Sequence, residues 1–191
     1  MQKDKVLRVG FDLDGVLLYN PARILRPFAQ FLRPFIFRKK SRKFYFPNTR
    51  IEKIVWRLLH KSSMWIAPGM KDILELAKEK KIEAYIITAR YDFLKHDFEG
   101  WVKKIDGSKL FTGHHYNITN QQPHLYKEHM IEKLDLDIFV EDNWGIVQHL
   151  SKQFKTKVKV FWIYNIFDKN INYTYKFPTL KNVAEWLKKN T

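Results

Sequence analysis

The stretch Phe11-Asp12-Leu13-Asp14-Gly15-Val16-Leu17 (FDLDGVL) closes a short, apolar, β-rich run that begins at Val6. A strand ending this way delivers two carboxylates to its carboxyl end and follows them with a glycine. In open α/β sheets, ligands bind outside the carboxyl ends of the strands. Strand alternation, continued past Phe11, would point Asp12 and Asp14 to the same side. Two carboxylates that close repel each other unless a cation lies between them or one is protonated. Magnesium prefers carboxylate oxygens together with substrate phosphates. Gly15 permits a sharp turn and the close approach of a ligand. Alone, an Asp-x-Asp-Gly run reads equally well as a calcium-like loop or an acidic turn.

Working outward, the chain alternates strand and helix patterns. Further strands are expected at Ile82–Thr88 (IEAYIIT), Leu110–His114, Asp137–Val140 and Val158–Tyr164 (VKVFWIY). Continuous apolar runs of this length suit strands covered on both faces, as in a parallel sheet. Helical spacing of apolar residues is found over Met70–Lys80, Phe93–Ile105, Leu125–Leu134, Gly145–Phe154 and Pro178–Lys189. The alternation predicts an α/β fold with a doubly wound parallel sheet.

Three more features change the weight of the first. The strand at Ile82 ends in Thr88-Ala89-Arg90, where a hydroxyl and backbone N–H groups could hold a phosphoryl oxygen. Lys127 lies in or at the start of a helical pattern, 15 residues before Asp142. The strand at Asp137 ends in Glu141-Asp142-Asn143, a second acidic cluster at a strand end. Bringing it beside Asp12 and Asp14 calls for a divalent cation.

Taken in order, Asp12-x-Asp14-Gly15, Thr88, Lys127 and Glu141-Asp142 resemble the motifs of the haloacid dehalogenase-like (HAD) superfamily, in its phosphatase branch. The resemblance implies a HAD-like Rossmannoid core and an Mg2+-dependent phosphatase. It implies Asp12 as the nucleophile that becomes an aspartyl-phosphate, and Asp14 as the acid and base. Asp12, the backbone carbonyl of Asp14, and Asp142 would hold the metal. Thr88, the Ala89 N–H and Lys127 would hold the phosphate. Glu141 would bind metal through water or orient Lys127. A finer pattern is similar to the 5′(3′)-deoxyribonucleotidases: FDLDGVL, ITAR, Trp101 in the following helix, a lysine-bearing helix, FVEDN, and a late aromatic strand ending in Tyr164-Asn165. It implies small phosphomonoesters, 5′-nucleotides among them, as substrates. The chain departs from that pattern in its far more basic cap, and in Glu141-Asp142 where many relatives carry Asp-Asp.

The cap is the segment that breaks the rhythm. We assign residues 1–18 and 68–191 to the catalytic core and 19–67 to an insertion, a small, mainly helical type 1 cap with its best helix at Ile51–Leu59. From Gly15 to Ile51 there is no acidic residue, while nine arginines and lysines are interleaved with Phe28, Phe31, Phe35, Phe37, Phe44, Tyr45 and Phe46. The tetrad Leu-Arg-Pro-Phe occurs at Leu25–Phe28 and again at Leu32–Phe35, too few copies for a repeat architecture. Pro27 and Pro34 argue against one long helix. Three readings stand: aromatics as core under a solvated basic face; a phosphate-rich substrate gripped by Arg23, Arg26 or Arg33, with Arg90 as a further substrate contact; or binding to nucleic acid or an anionic surface.

The 191 residues carry a net charge of +15 and no cysteine. The charge attracts polyanions. The missing thiols exclude disulfides, thiolate zinc sites and a cysteine nucleophile. Asp12 and Asp14 interrupt the only apolar run near the N-terminus, and no stretch of about 18 apolar residues exists, so a soluble, cytoplasmic protein is expected. An end-processing phosphatase acting on nucleic acid, and a basic binding module that has lost turnover, are the alternatives to a small-molecule phosphatase. His114-His115 reads as site entrance or plain loop, Trp144 as packing beneath the site, and Tyr164 and Asn165 as shaping the pocket.

Overall fold

A computed structural model describes residues 6–19, 47, 49–61 and 65–191. Six parallel strands form the main sheet: β1 (Leu7–Phe11), β4 (Ile82–Tyr91), β5 (Gly113–Asn117), β6 (Ile138–Glu141), β7 (Lys159–Ile163) and β8 (Lys176–Phe177), in the order β5-β4-β1-β6-β7-β8. From β1 the chain winds outward through β4 to β5, then crosses back to β6 and continues to β8. The order therefore reverses between β1 and β6, which places the ligand crevice at their carboxyl ends. Two short strands, β2 (Leu18–Tyr19) and β3 (Trp65–Ile66), pair antiparallel beside the sheet. This ribbon sits where the chain enters and leaves the expected insertion.

Strand alternation splits the core in two. On one face, Val9, Phe11, Ile86, Val140 and Phe161 pack with helices α2 (Met70–Lys78), α3 (Lys95–Ile105) and α6 (Leu180–Asn190). On the other, Ile87, Phe139, Val160 and Trp162 pack with α4 (Pro123–Lys133) and α5 (Trp144–Phe154). Asp12 continues the alternation beyond Phe11 towards the face that carries α4. The sheet is doubly wound, as the sequence predicts.

Differences from the expected elements have local causes. The strand expected at Leu110–His114 starts at Gly113, because the Asp106 carboxylate accepts from the N–H groups of Leu110 (2.6 Å) and Phe111 (3.2 Å) and ties that stretch into a turn. The helix expected from Phe93 starts at Lys95, after a 3-10 turn over Asp92–Leu94. The strand from Ile82 runs three residues past Thr88. Of the insertion, helix α1 (Arg50–Lys61) is described, opened by a capping box in which Thr49 N donates to Glu52 (2.9 Å) and Glu52 N to Thr49 Oγ1 (3.2 Å). Arg23, Arg26, Arg33 and both Leu-Arg-Pro-Phe tetrads lie outside the described residues.

Candidate active site

Asp12 follows the last residue of β1, and its N–H donates to Val140 O (3.0 Å), so the ends of β1 and β6 are laced together. That lacing brings Asp12 close to Glu141 and Asp142. The three buried residues each offer a carboxylate oxygen, and these oxygens lie within 4.8 Å of one another. Gly15 turns the chain away with φ of 88°, and a Cβ there would stand 2.1 Å from Asp142 Oδ2. Glycine is required on both counts: the left-handed backbone and the packed carboxylate.

Lys127 enters from α4 and is 2% exposed. Its Nζ lies 2.9 Å from Asp12 Oδ2 and 2.5 Å from Glu141 Oε2. The other Glu141 oxygen accepts from the N–H groups of Asp142 (3.0 Å) and Asn143 (2.9 Å). Glu141 therefore ties the lysine to the loop that carries Asp142. Asn143 caps α5, its side chain accepting from Gly145 and Ile146 N, so a helix N-terminus opens onto the same crevice.

Electrostatically the cluster is a crowd of buried carboxylates. Burial raises the Asp12 carboxyl well above the usual range; Lys127 opposes this, and Glu141, Asp142 and Asp14 add to it. Burial raises Glu141 too, with Lys127 opposing. Burial would lower the Lys127 ammonium, but Asp12 and Glu141 outweigh it and push it up. Taken by themselves, three ionised carboxylates and the Lys127 ammonium sum to two negative charges. Buried charge of that sign demands a counter-ion, and an all-oxygen donor set suits Mg2+. The residues present fit that ion.

A cavity of about 180 Å³ lies over this cluster, lined by Asp12, Asp14, Thr88, Ala89, Arg90 and Lys127 among others. The Thr88 hydroxyl accepts from Arg90 N (3.3 Å), which leaves its proton for another acceptor. The Asp14 side chain lines the cavity outside the three-carboxylate group, paired with Arg90 (2.7 and 2.8 Å). The guanidinium of Arg90 is thus held by protein carboxylates. All of the sequence-predicted core residues (Asp12, Asp14, Thr88, Ala89, Arg90, Lys127, Glu141 and Asp142) come together here. Tyr164 and Asn165 are not among the residues that line the cavity, and His114-His115 stand on β5, where His114 pairs with Asp106 (2.8 Å) and His115 stacks on Tyr85. Trp144 stacks on Trp162 with ring centroids 4.3 Å apart.

Trp56, from α1, also lines the cavity, and no local sequence signal marked it. It arrives because α1 docks on residue 93: Lys53 Nζ stands 5.6 Å from the Phe93 ring centroid and Arg57 donates to Phe93 O (3.5 Å).

No family model and no curated protein matches the sequence. Solved structures do match. CbbY from Rhodobacter sphaeroides, in complex with phosphate, superposes with a TM-score of 0.58 at 11% identity, over 94% of this chain and 96% of that one. A HAD-superfamily hydrolase of subfamily IA from Geobacter sulfurreducens gives 0.53 at 13% identity, over 95% and 100% of the two chains. The chain has the fold of the HAD-superfamily hydrolases. A protein designated a HAD-hydrolase from Bacillus subtilis, bound to magnesium, gives 0.60 at 11% identity, over 97% and 100%. The HAD-like fold accounts for the motif order: all four motifs fall at or beside the carboxyl ends of β1, β4 and β6. Among the described residues no helix is long and apolar enough to cross a membrane.

Proposed function

We propose that this protein is an Mg2+-dependent phosphohydrolase that acts on small phosphomonoesters through an aspartyl-phosphate intermediate. One observation carries the reading: Asp12, Glu141 and Asp142 converge within 4.8 Å beside a buried lysine, at the switch point of the sheet.

The chain's own residues then divide the work. An oxygen of Asp12 attacks phosphorus as the ester P–O bond breaks. Lys127 opposes the burial that disfavours ionised Asp12 and offsets charge on the phosphoryl oxygens. Thr88 and the Ala89 N–H hold those oxygens in line. Asp14 gives a proton to the leaving oxygen and then takes one from the water that splits the aspartyl-phosphate. Asp12, Asp142 and the carbonyl of Asp14 would hold the metal, with Glu141 reaching it through water or orienting Lys127. Mg2+ bound there supplies charge neutralisation for the transferring phosphoryl group.

The motif pattern and the aromatic face of Trp56 favour 5′-nucleotides, and the +15 charge favours a phosphorylated nucleic-acid end. The domain division into a core (1–18 and 68–191) and a basic cap (19–67) belongs to the same proposal. A screen of phosphorylated metabolites beside a 3′-phosphorylated oligonucleotide, with and without Mg2+, tests it. Phosphate release from a metabolite supports the leading reading, and release from the oligonucleotide alone transfers it to end processing. No release from any ester, with Mg2+ retained by the folded protein, overturns catalysis in favour of a binding module.

A further inference from the structure

Asp142 is held at three places. Its N–H donates to Glu141 Oε1 (3.0 Å), its carboxylate packs where a Cβ on Gly15 would stand, and its carbonyl accepts from the indole Nε1 of Trp162 (3.3 Å). The third hold comes from a different strand. Trp162 lies on β7, where its register partner on β6 is Glu141, the residue just before Asp142. An indole carries one donor and no acceptor, and a buried one needs a partner for that donor. Trp162 is 0% exposed and spends its donor on the peptide of the acidic loop.

The indole is itself fixed. Trp144, the first residue of α5, lies against it with ring centroids 4.3 Å apart. Tyr173 meets it edge-on at 6.2 Å. The Tyr173 hydroxyl donates to Val160 O on β7 (2.7 Å) and lies 2.8 Å from Ser151 Oγ on α5. Lys176 Nζ stands 5.6 Å from the Trp162 ring centroid. That ammonium is pinned in turn, donating to the carbonyls of Asp168 (3.3 Å), Lys169 (2.5 Å) and Ile171 (2.7 Å). Two ring neighbours and a tethered cation leave the indole little freedom to turn. Trp162, Trp144 and Tyr173 are not among the residues that line the cavity.

We infer that Trp162 is a positioning residue for Asp142: its indole N–H fixes the Asp142 carbonyl, and the place of the Asp142 carboxylate beside Asp12 and Glu141 is thereby set from β7, outside the cavity. This rests on the divalent-cation reading of the site and goes beyond it. A ligand group that already stands in place costs nothing to order when the ion arrives. With the indole donor gone, the peptide joining Asp142 to Asn143 has one hold fewer and can swing, carrying the carboxylate with it. The strand survives, because β7 keeps its ladder to β6 from Ile138↔Lys159 to Glu141↔Trp162. What is lost is the preset place of one ligand, so the cost falls on metal affinity.

The test uses the full-length protein and Mg2+ alone, with affinity read by isothermal titration calorimetry. Groups that hold a metal's ligands in place are worth about 10–100-fold in affinity. The bond from Trp162 is a long one, so Trp162→Phe should raise the Mg2+ Kd by about tenfold, the lower end of that range. Tyr173→Phe is the control for packing. It keeps the ring and removes the hydroxyl that ties the aromatic cluster to Val160, so it should lower the melting temperature and leave the Kd within about twofold. The unaltered protein supplies a reading that needs no variant to fold. The indole N–H resonance of Trp162 should move in step with Mg2+ occupancy, and that proton should exchange with deuterium more slowly once the ion is bound. An unchanged Kd in Trp162→Phe, an equal rise in Tyr173→Phe, or an indole signal indifferent to Mg2+ overturns the inference. If the unaltered protein binds no Mg2+ at all, the divalent-cation reading itself falls, and this inference with it.

Discussion

Gly15 and Asp142 are 127 positions apart in sequence and touch so closely that a β-carbon on the glycine would fall 2.1 Å from Asp142 Oδ2. The contact makes the turn after the first motif a wall of the acidic site. Gly15→Ala must displace Asp142 and also adopt a φ of 88°, a left-handed conformation costing about 1–2 kcal/mol for a residue with a side chain. It should lower the melting temperature and reduce phosphatase activity by more than an order of magnitude. Thermal denaturation alongside kcat measurement checks both, and a variant with unaltered turnover would refute the role of this contact.

Among the described residues, Lys127 is the one ammonium among the buried carboxylates of the site, bonded to Asp12 and Glu141 at 2.9 and 2.5 Å. Removing one partner of a buried ion pair costs about 3–5 kcal/mol, because the charge left behind has no compensation. Lys127→Met keeps the volume of the stem and removes the charge. It should abolish activity and destabilise the metal-free protein by about that amount. Chemical denaturation in chelator measures the loss; a variant as stable as the unaltered protein would show that Lys127 does not neutralise the cluster.

How much of this was legible in the sequence follows from burial. Strands with both faces covered, β4, β6 and β7, announce themselves as unbroken apolar runs, and their carboxyl ends carried the motifs. The edge strand β5 did not: it reads Gly-His-His-Tyr-Asn, and its start depends on a carboxylate seven residues earlier. The two-residue β8 pairs only because β7 is there to receive it. Within the site, Asp12, Thr88, Lys127 and Asp142 were readable because each terminates or faces a strand end. Trp56 and the pairing of Arg90 with Asp14 were not. They depend on how α1 docks, and on a bulge after Thr88 that shifts the register of β4 on β5, neither of which leaves a local pattern.

Asp12→Asn separates chemistry from architecture. The amide is isosteric, so the hydrogen bond that Asp12 Oδ1 accepts from Leu13 N (2.8 Å) can persist. It removes a crowded carboxylate, that of Asp12, whose ionised form burial already disfavours. Turnover should fall to background while the melting temperature without metal stays level or rises. Near-normal phosphate release from this variant would remove Asp12 from the mechanism.

Metal binding should be visible without any substrate. Asp12, Glu141 and Asp142 bring three carboxylates together in a buried site that exists only in the folded chain, so Mg2+ should bind the folded chain in preference to the unfolded one and stabilise it by mass action. At 100 times Kd the gain is about 2.7 kcal/mol, which for a chain of this size raises the melting temperature by about 5–10 °C. Asp142→Asn withdraws a ligand and should erase most of that shift. Thermal denaturation across an Mg2+ titration decides the matter. If the unaltered protein and the variant respond alike, or neither responds, the carboxylates converge for some reason other than holding a divalent ion, and the chemistry built on them fails.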